Sequence, residues 1–217
     1  MSENFTHYPI AIFNLDNKDY SIQTDKYRYN ILVLNPEDKI NLPKNTKIWI
    51  GIIVSDFKEK RQIEKALNII SILKQNNIKH LVFAKNEAPT KIKEISYIAE
   101  NISDEKLTLF LKFMDLLVFK PCLVGIDYND VVNLFSKNNG KLEYCKFQNI
   151  DLEQLNRYLP NHKNKKLFLV VEVGIDKSFF EAENIITNII NFLKPKHTIF
   201  QICLNKKINL YILHMND

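Results

Sequence analysis

The sequence predicts an α/β protein: a reduced N-terminal parallel-sheet half, a long buried central helix, and a C-terminal α+β half with a mixed or antiparallel sheet. Three observations carry that expectation. Strand-like apolar runs surround one strongly periodic helix over the first ninety residues. The stretch from Leu107 to Phe119 is apolar nearly all the way round. From Lys166 onward a strand, an amphipathic helix and two more strands follow in order. At 217 residues the chain makes one or at most two domains, long enough to bury a core. The expected divisions are 1–102 for the first half, 103–119 for the central helix and 120–217 for the second half.

Pro9 to Phe13 and Ile31 to Leu34 are short β-type runs, the second closed by Asn35-Pro36. Ile48 to Val54 is almost continuously apolar, as expected of a strand covered on both faces, and Trp49 is read as core within it. Ile63, Ala66, Leu67, Ile70 and Leu73 recur at helical steps up to Asn76-Asn77, and His80 to Ala84 reads as another buried strand. Strand, helix, strand at this spacing is a βαβ unit with a parallel pair.

Ser103 suits a helix cap, with Asp104 and Glu105 in the first turn and Pro121 past the far end. A helix apolar on every side must be surrounded by protein, and this one is too short to span a bilayer. Asp127 to Ser136 and Asp151 to Leu159 read as shorter helices. Lys166 to Val173 is a strand ended by Gly174. Asp176 or Ser178 opens an amphipathic helix running to Leu193, closed by Pro195. Thr198 to Leu204 and Ile208 to Met215 then flank Asn205-Lys206-Lys207, which suggests a hairpin.

Composition removes several function classes. The four glycines, Gly51, Gly125, Gly140 and Gly174, are far apart, whereas a loop that wraps phosphate needs several together. A P-loop and a Rossmann fingerprint are therefore excluded, and no cofactor is expected. The net charge of +5 comes from scattered lysines, with only Arg28, Arg61 and Arg157 beside them, so no nucleic-acid surface is expected. The densest basic run, His162 to Lys166, reads as a solvated loop, and Tyr27, Arg28 and Tyr29 as half-buried strand positions. Cys122, Cys145 and Cys203 form no CxxC pair and the five histidines no ligand spacing, so no metal is expected. The opening residues lack an apolar signal core and no apolar run spans a membrane, so the expected compartment is a reducing cytoplasm.

Pro121-Cys122-Leu123-Val124-Gly125-Ile126-Asp127-Tyr128-Asn129-Asp130-Val131 resembles the loop after the central helix in FtsZ, the bacterial tubulin homologue, with pattern P-G-L-I-N-x-D-[FY]-x-D-[VI]. Val170 to Ala182 resembles that family's strand, glycine, L-S-L-F-E and helix, and the closing strands are similar to the end of its C-terminal domain. In the first half, Ile48 to Ala84 is similar to the strand, helix, strand that follows the FtsZ glycine-rich loop. Ser55 to Arg61, with Phe57, stands where that family has a phenylalanine-containing turn. Ile10 to Asp16 is similar to an early strand of that family whose end carries an asparagine and an acidic residue. The G-G-G-T-G-T-G loop itself is absent. The resemblance implies an FtsZ/tubulin-like body without a self-contained GTP site.

In that family the loop after the core helix reaches into the next subunit's GTP site, where its carboxylates position water. The matching residues are Asp127 and Asp130, with Gly125 in place of the family's asparagine. The resemblance thus implies a partner interface of Val124, Gly125, Asp127, Tyr128 and Asp130, with the two aspartates acting, if at all, on nucleotide held in trans. Read from the residues alone, the capped start of a helix is the simpler account of Asp127 and Asp130, and another capped start that of Asp176, Ser178 and Glu181. Three functions follow in order of expectation: a non-enzymatic protein that binds FtsZ or another tubulin-like protein, a nucleotide-independent self-associating protein, and an enzyme with a small-molecule pocket at the ends of the parallel strands.

Overall fold

A computed structural model describes residues 10–16, 31–34, 48–108, 110–111, 122–124, 140–148, 166–174, 178–195, 197–205 and 209–216. The chain divides into two compact units, one of Met1–Leu107 with Lys137–Gly140, the other of Thr108–Ser136 with Lys141–Asp217.

Among the described residues, the first unit is built on five parallel strands. They are β1 (Ile10–Asn14), β2 (Ile31–Leu34), β3 (Ile50–Ser55), β4 (Lys79–Ala84) and β5 (Tyr97–Ala99), side by side in the order β2-β1-β3-β4-β5. All six residues of β3 are buried, which accounts for the apolar run from Ile50 to Val54. Helix α1 (Lys60–Gln75) crosses from β3 to β4 and completes the expected βαβ unit. It buries Ala66, Ile69, Ile70 and Leu73 against Ala11, Phe13, Ile53 and Val82. Close approach is possible because Gly51, flanked in register by Ala11 and His80, has no side chain beneath Leu73. The helix ends at Asn76, and Asn77 turns the chain left-handed at φ 56°. Trp49 precedes β3 and is half-buried, so its assignment to the strand core is corrected.

After β4 the one-turn α2 (Thr90–Lys93) leads into β5. Lys93 pairs with Glu87 and Glu100, and Glu100 also accepts the Ala88 N–H, which ties down this connection. Residues 104–108 and 110–111 are helical. Ser103 caps them as expected, its Oγ accepting the Lys106 N–H at 3.3 Å. Leu107, Phe110 and Leu111 are buried. The remainder of the expected central helix lies outside the described residues.

The second unit holds a mixed sheet of β6 (Cys122–Val124), β7 (Gly140–Gln148), β8 (Lys166–Gly174), β9 (His197–Asn205) and β10 (Asn209–Asn216), in the order β7-β10-β8-β9-β6. Helix α3 (Phe179–Leu193) connects β8 to its parallel neighbour β9. Ser178, not Asp176, is its cap: Ser178 Oγ accepts the Glu181 N–H and Glu181 Oε2 accepts the Ser178 N–H. The helix lays Ala182, Ile186, Ile189 and Leu193 on Leu169, Val171, Leu210 and Ile212. At its outer start Phe179 and Phe180 stand exposed. Lys194, left-handed at φ 44°, ends it before Pro195.

The hairpin expected at the end of the chain is not formed. β9 and β10 lie on opposite sides of β8, β9 parallel to it and β10 antiparallel. The physical reason is burial: β8 is buried from Leu167 to Gly174 and takes the place with a strand on each side. Strand neighbours two apart are separated by about 10 Å, within reach of the short link 206–208. The expected helices at Asp127 to Ser136 and Asp151 to Leu159, the residues Tyr27, Arg28 and Tyr29, and the basic run before Lys166 lie outside the described residues.

Candidate functional site

The three central strands of the first unit, β1, β3 and β4, end side by side, and the turn after each delivers polar side chains to one place. Asp16 follows β1, Asp56, Lys58 and Glu59 follow β3, and Lys85 and Asn86 follow β4. With Gln62 from the first turn of α1 they line a cleft of about 390 Å³. Ligands of open α/β sheets are held at this carboxyl end of the strands. The turns start in register because the ladders run on past the strands: Leu15 N–H donates to Val54 O at 2.9 Å and Lys85 N–H to Ser55 O at 3.0 Å.

Asp16 is the buried hub of the cleft. Its Oδ1 accepts the Asp56 N–H at 2.8 Å and its Oδ2 lies 3.1 Å from Lys85 Nζ, which also reaches Asp104 Oδ1 at 3.2 Å. Asn14 orients it by accepting the Asp16 N–H. Gln62 is the second junction: Nε2 donates to Asp56 Oδ1 at 2.8 Å and to Leu15 O, while Oε1 accepts the Glu59 N–H at 2.9 Å. Burial works against the Asp56 carboxylate. The hydrogen bonds from Gln62 and the Lys58 N–H, with the Lys58 ammonium at 3.4 Å, outweigh that effect and hold its pKa below the ordinary value. Between Asp56 and Lys58, the buried Phe57 sits at φ 52°, a costly conformation for a bulky side chain.

The turn after β3 has a direct chemical consequence. Four successive backbone N–H groups are taken by oxygens of the chain's own side chains: Asp56 by Asp16, Phe57 by Ser55 Oγ, Lys58 by Asp56, and Glu59 by Gln62. A phosphate cradle uses such a run of N–H groups at the start of a helix and leaves them for the anion. Here the run is internally satisfied, and among the described residues that line the cleft there is no glycine while three carboxylates face two ammonium groups. The arrangement disfavours a polyphosphate on both hydrogen-bonding and charge grounds.

Of the residues expected to form a partner interface, Val124 ends β6, where it is in register with Ile202 of β9. Gly125, Asp127, Tyr128 and Asp130 lie outside the described residues. Asn14 and Asp16 were legible in sequence as the polar end of an early strand. The roles of Asp56, Gln62 and Lys85 were not, since only the register of three strands brings them together. A second buried carboxylate also escaped the sequence reading. Glu172, within the apolar run of β8, accepts hydrogen bonds from Tyr211 Oη at 2.9 Å and Asn209 Nδ2 at 2.7 Å. A lone acidic residue in a strand buried on both faces was the available signal. Among the described residues no three metal-ligating side chains converge, and no helix is long and apolar enough to cross a membrane.

No protein-family model and no curated protein matches the chain. Solved structures do match. CetZ from Methanosaeta thermophila strain DSM 6194 superposes with a TM-score of 0.60 at 8% identity, over 96% of this chain and 86% of that one. TubZ from Bacillus thuringiensis serovar israelensis, in GDP-form protofilaments, gives 0.56 at 12% identity over 82% and 62%. FtsZ from M. jannaschii gives 0.47 at 14% identity, and the match covers 56% of the FtsZ chain, so this protein spans little more than half of it. At such identities the likeness is one of fold: the chain has the two-domain α/β fold of CetZ and TubZ.

Proposed function

We propose that this chain is a non-enzymatic FtsZ/tubulin-like interaction protein. It binds or caps filaments of an FtsZ-type partner, or of its own kind, through the loop after the central helix. Val124, Gly125, Asp127, Tyr128 and Asp130 form the contact, and Asp127 and Asp130 act, if chemistry occurs at all, on nucleotide held by the partner. The observation that carries the reading is the closed turn after β3, whose four N–H groups at 56–59 are occupied by the chain's own side chains. A subunit of this fold without a nucleotide end joins a filament from one side only, and so terminates or modulates its growth. TubZ, of like fold, is known in protofilaments.

Cosedimentation with FtsZ and GTP tests the proposal. The expected result is pelleting of the chain with polymer, lost in the Asp127→Ala, Asp130→Ala double variant. Association unchanged by that double substitution would refute the interface. Light scattering of the chain alone, with and without GTP, separates self-association from partner binding. A melting temperature raised by GTP would overturn the absence of a nucleotide site.

A further inference from the structure

We infer that Cys122 and Cys203 form a reversible cross-strand disulfide, a redox-sensitive staple between β6 and β9. The two residues are register partners on adjacent antiparallel strands, and the register shifts just beyond them, between Cys122 and Val124. Partnered Cα atoms in an antiparallel ladder lie about 4.5 or 5.5 Å apart, inside the disulfide range of roughly 4.4–6.8 Å. The third cysteine is a built-in control. Cys145 pairs in register with Ile212 of β10, and β10 and β8 both lie between β7 and β9. Three strand spacings put it about 14 Å from Cys203 across the sheet, too far to compete.

Cys203 is fully buried and has Glu172 as its register partner on the other side, in β8. Full burial keeps Cys203 from a dissolved oxidant, so the first attack belongs to Cys122, in the outermost strand of the sheet order. With oxidised glutathione as oxidant, the Cys122 thiolate attacks one glutathione sulfur and expels the other as thiolate, leaving a mixed disulfide. Cys203, losing its proton, attacks the Cys122 sulfur and expels the second glutathione. Two protein thiols are oxidised, one glutathione disulfide is reduced, and the two protons end on two glutathione thiols. The staple closes a long loop, which favours the folded state, and it fixes the strand that leads into residues 125–130. The bond itself does not depend on the filament reading.

The full-length chain is equilibrated in oxidised and reduced glutathione, trapped with an alkylating agent under denaturing conditions, digested and analysed by mass spectrometry. The expected product is a peptide pair joined through Cys122 and Cys203, with Cys145 alkylated. The melting temperature should rise by about 10 °C on oxidation. The gain should vanish in Cys122→Ser and in Cys203→Ser and persist in Cys145→Ser. Three alkylated thiols after oxidation, a link through Cys145, or Cys122 halted as its glutathione mixed disulfide would each overturn the inference.

Discussion

Gly51→Ala tests how closely α1 is seated on the parallel sheet. An added Cβ would lie 2.5 Å from Leu73 Cδ1 and 3.0 Å from Cδ2, closer than any relaxed carbon contact. Leu73 is fully buried in the core beneath α1, so it moves only by displacing its neighbours. Such overpacking costs about 1–3 kcal/mol. Gly51 has no positive φ, so alanine also narrows the unfolded ensemble and returns about 0.4–1 kcal/mol. The net expectation is a loss of about 1–2 kcal/mol, read by urea denaturation as a lower midpoint at constant m-value. At this chain length it corresponds to roughly 3–6 °C in melting temperature. A double-mutant cycle isolates the cause. Leu73→Ala alone costs about 2–5 kcal/mol, but it opens the space the new methyl needs. The double variant should therefore be more stable than the summed single effects by at least about 1 kcal/mol. Additive effects, or a Gly51→Ala protein as stable as the parent, would refute the packing argument.

Three further outcomes are expected. Burial pushes the His80 pKa down to about 4, with its Nε2 placed against Ile95 O and Ser96 Oγ. The unfolded chain therefore takes up this proton first, so the contribution is complete above about pH 6.5 and is lost as pH falls towards 4, about 3 kcal/mol in all. Urea titrations of the parent and His80→Gln from pH 7 to 4 should converge by that amount, and parallel curves would contradict it. Lys85→Met leaves the buried Asp16 without this cation and should cost about 1–3 kcal/mol; adding Asp16→Asn should recover part of the loss in the same assay. Ser178→Ala removes the cap of α3 and should cost about 1 kcal/mol by thermal unfolding, with no gain from a further Glu181→Ala.

The alternation of runs in the first ninety residues already contained the parallel βαβ unit. An apolar stretch such as Ile50 to Val54 is stable only when covered on both faces, and a periodic helix between two such stretches has one handed way to return. Glycine scarcity was equally legible, because no fold supplies the conformational freedom that a phosphate loop needs from glycine itself. The sequence could not show that the N–H groups of residues 56–59 are taken internally. That depends on Asp16, forty positions before Asp56, arriving beside it through strand pairing. Nor could local turn preference decide between a closing hairpin and insertion of β8 between β9 and β10. Asn205-Lys206-Lys207 permits either, and the outcome rests on which strand buries the most surface when both neighbours are in place. Local chemistry determined the elements, while contacts between residues distant in sequence decided the strand order and closed the cleft.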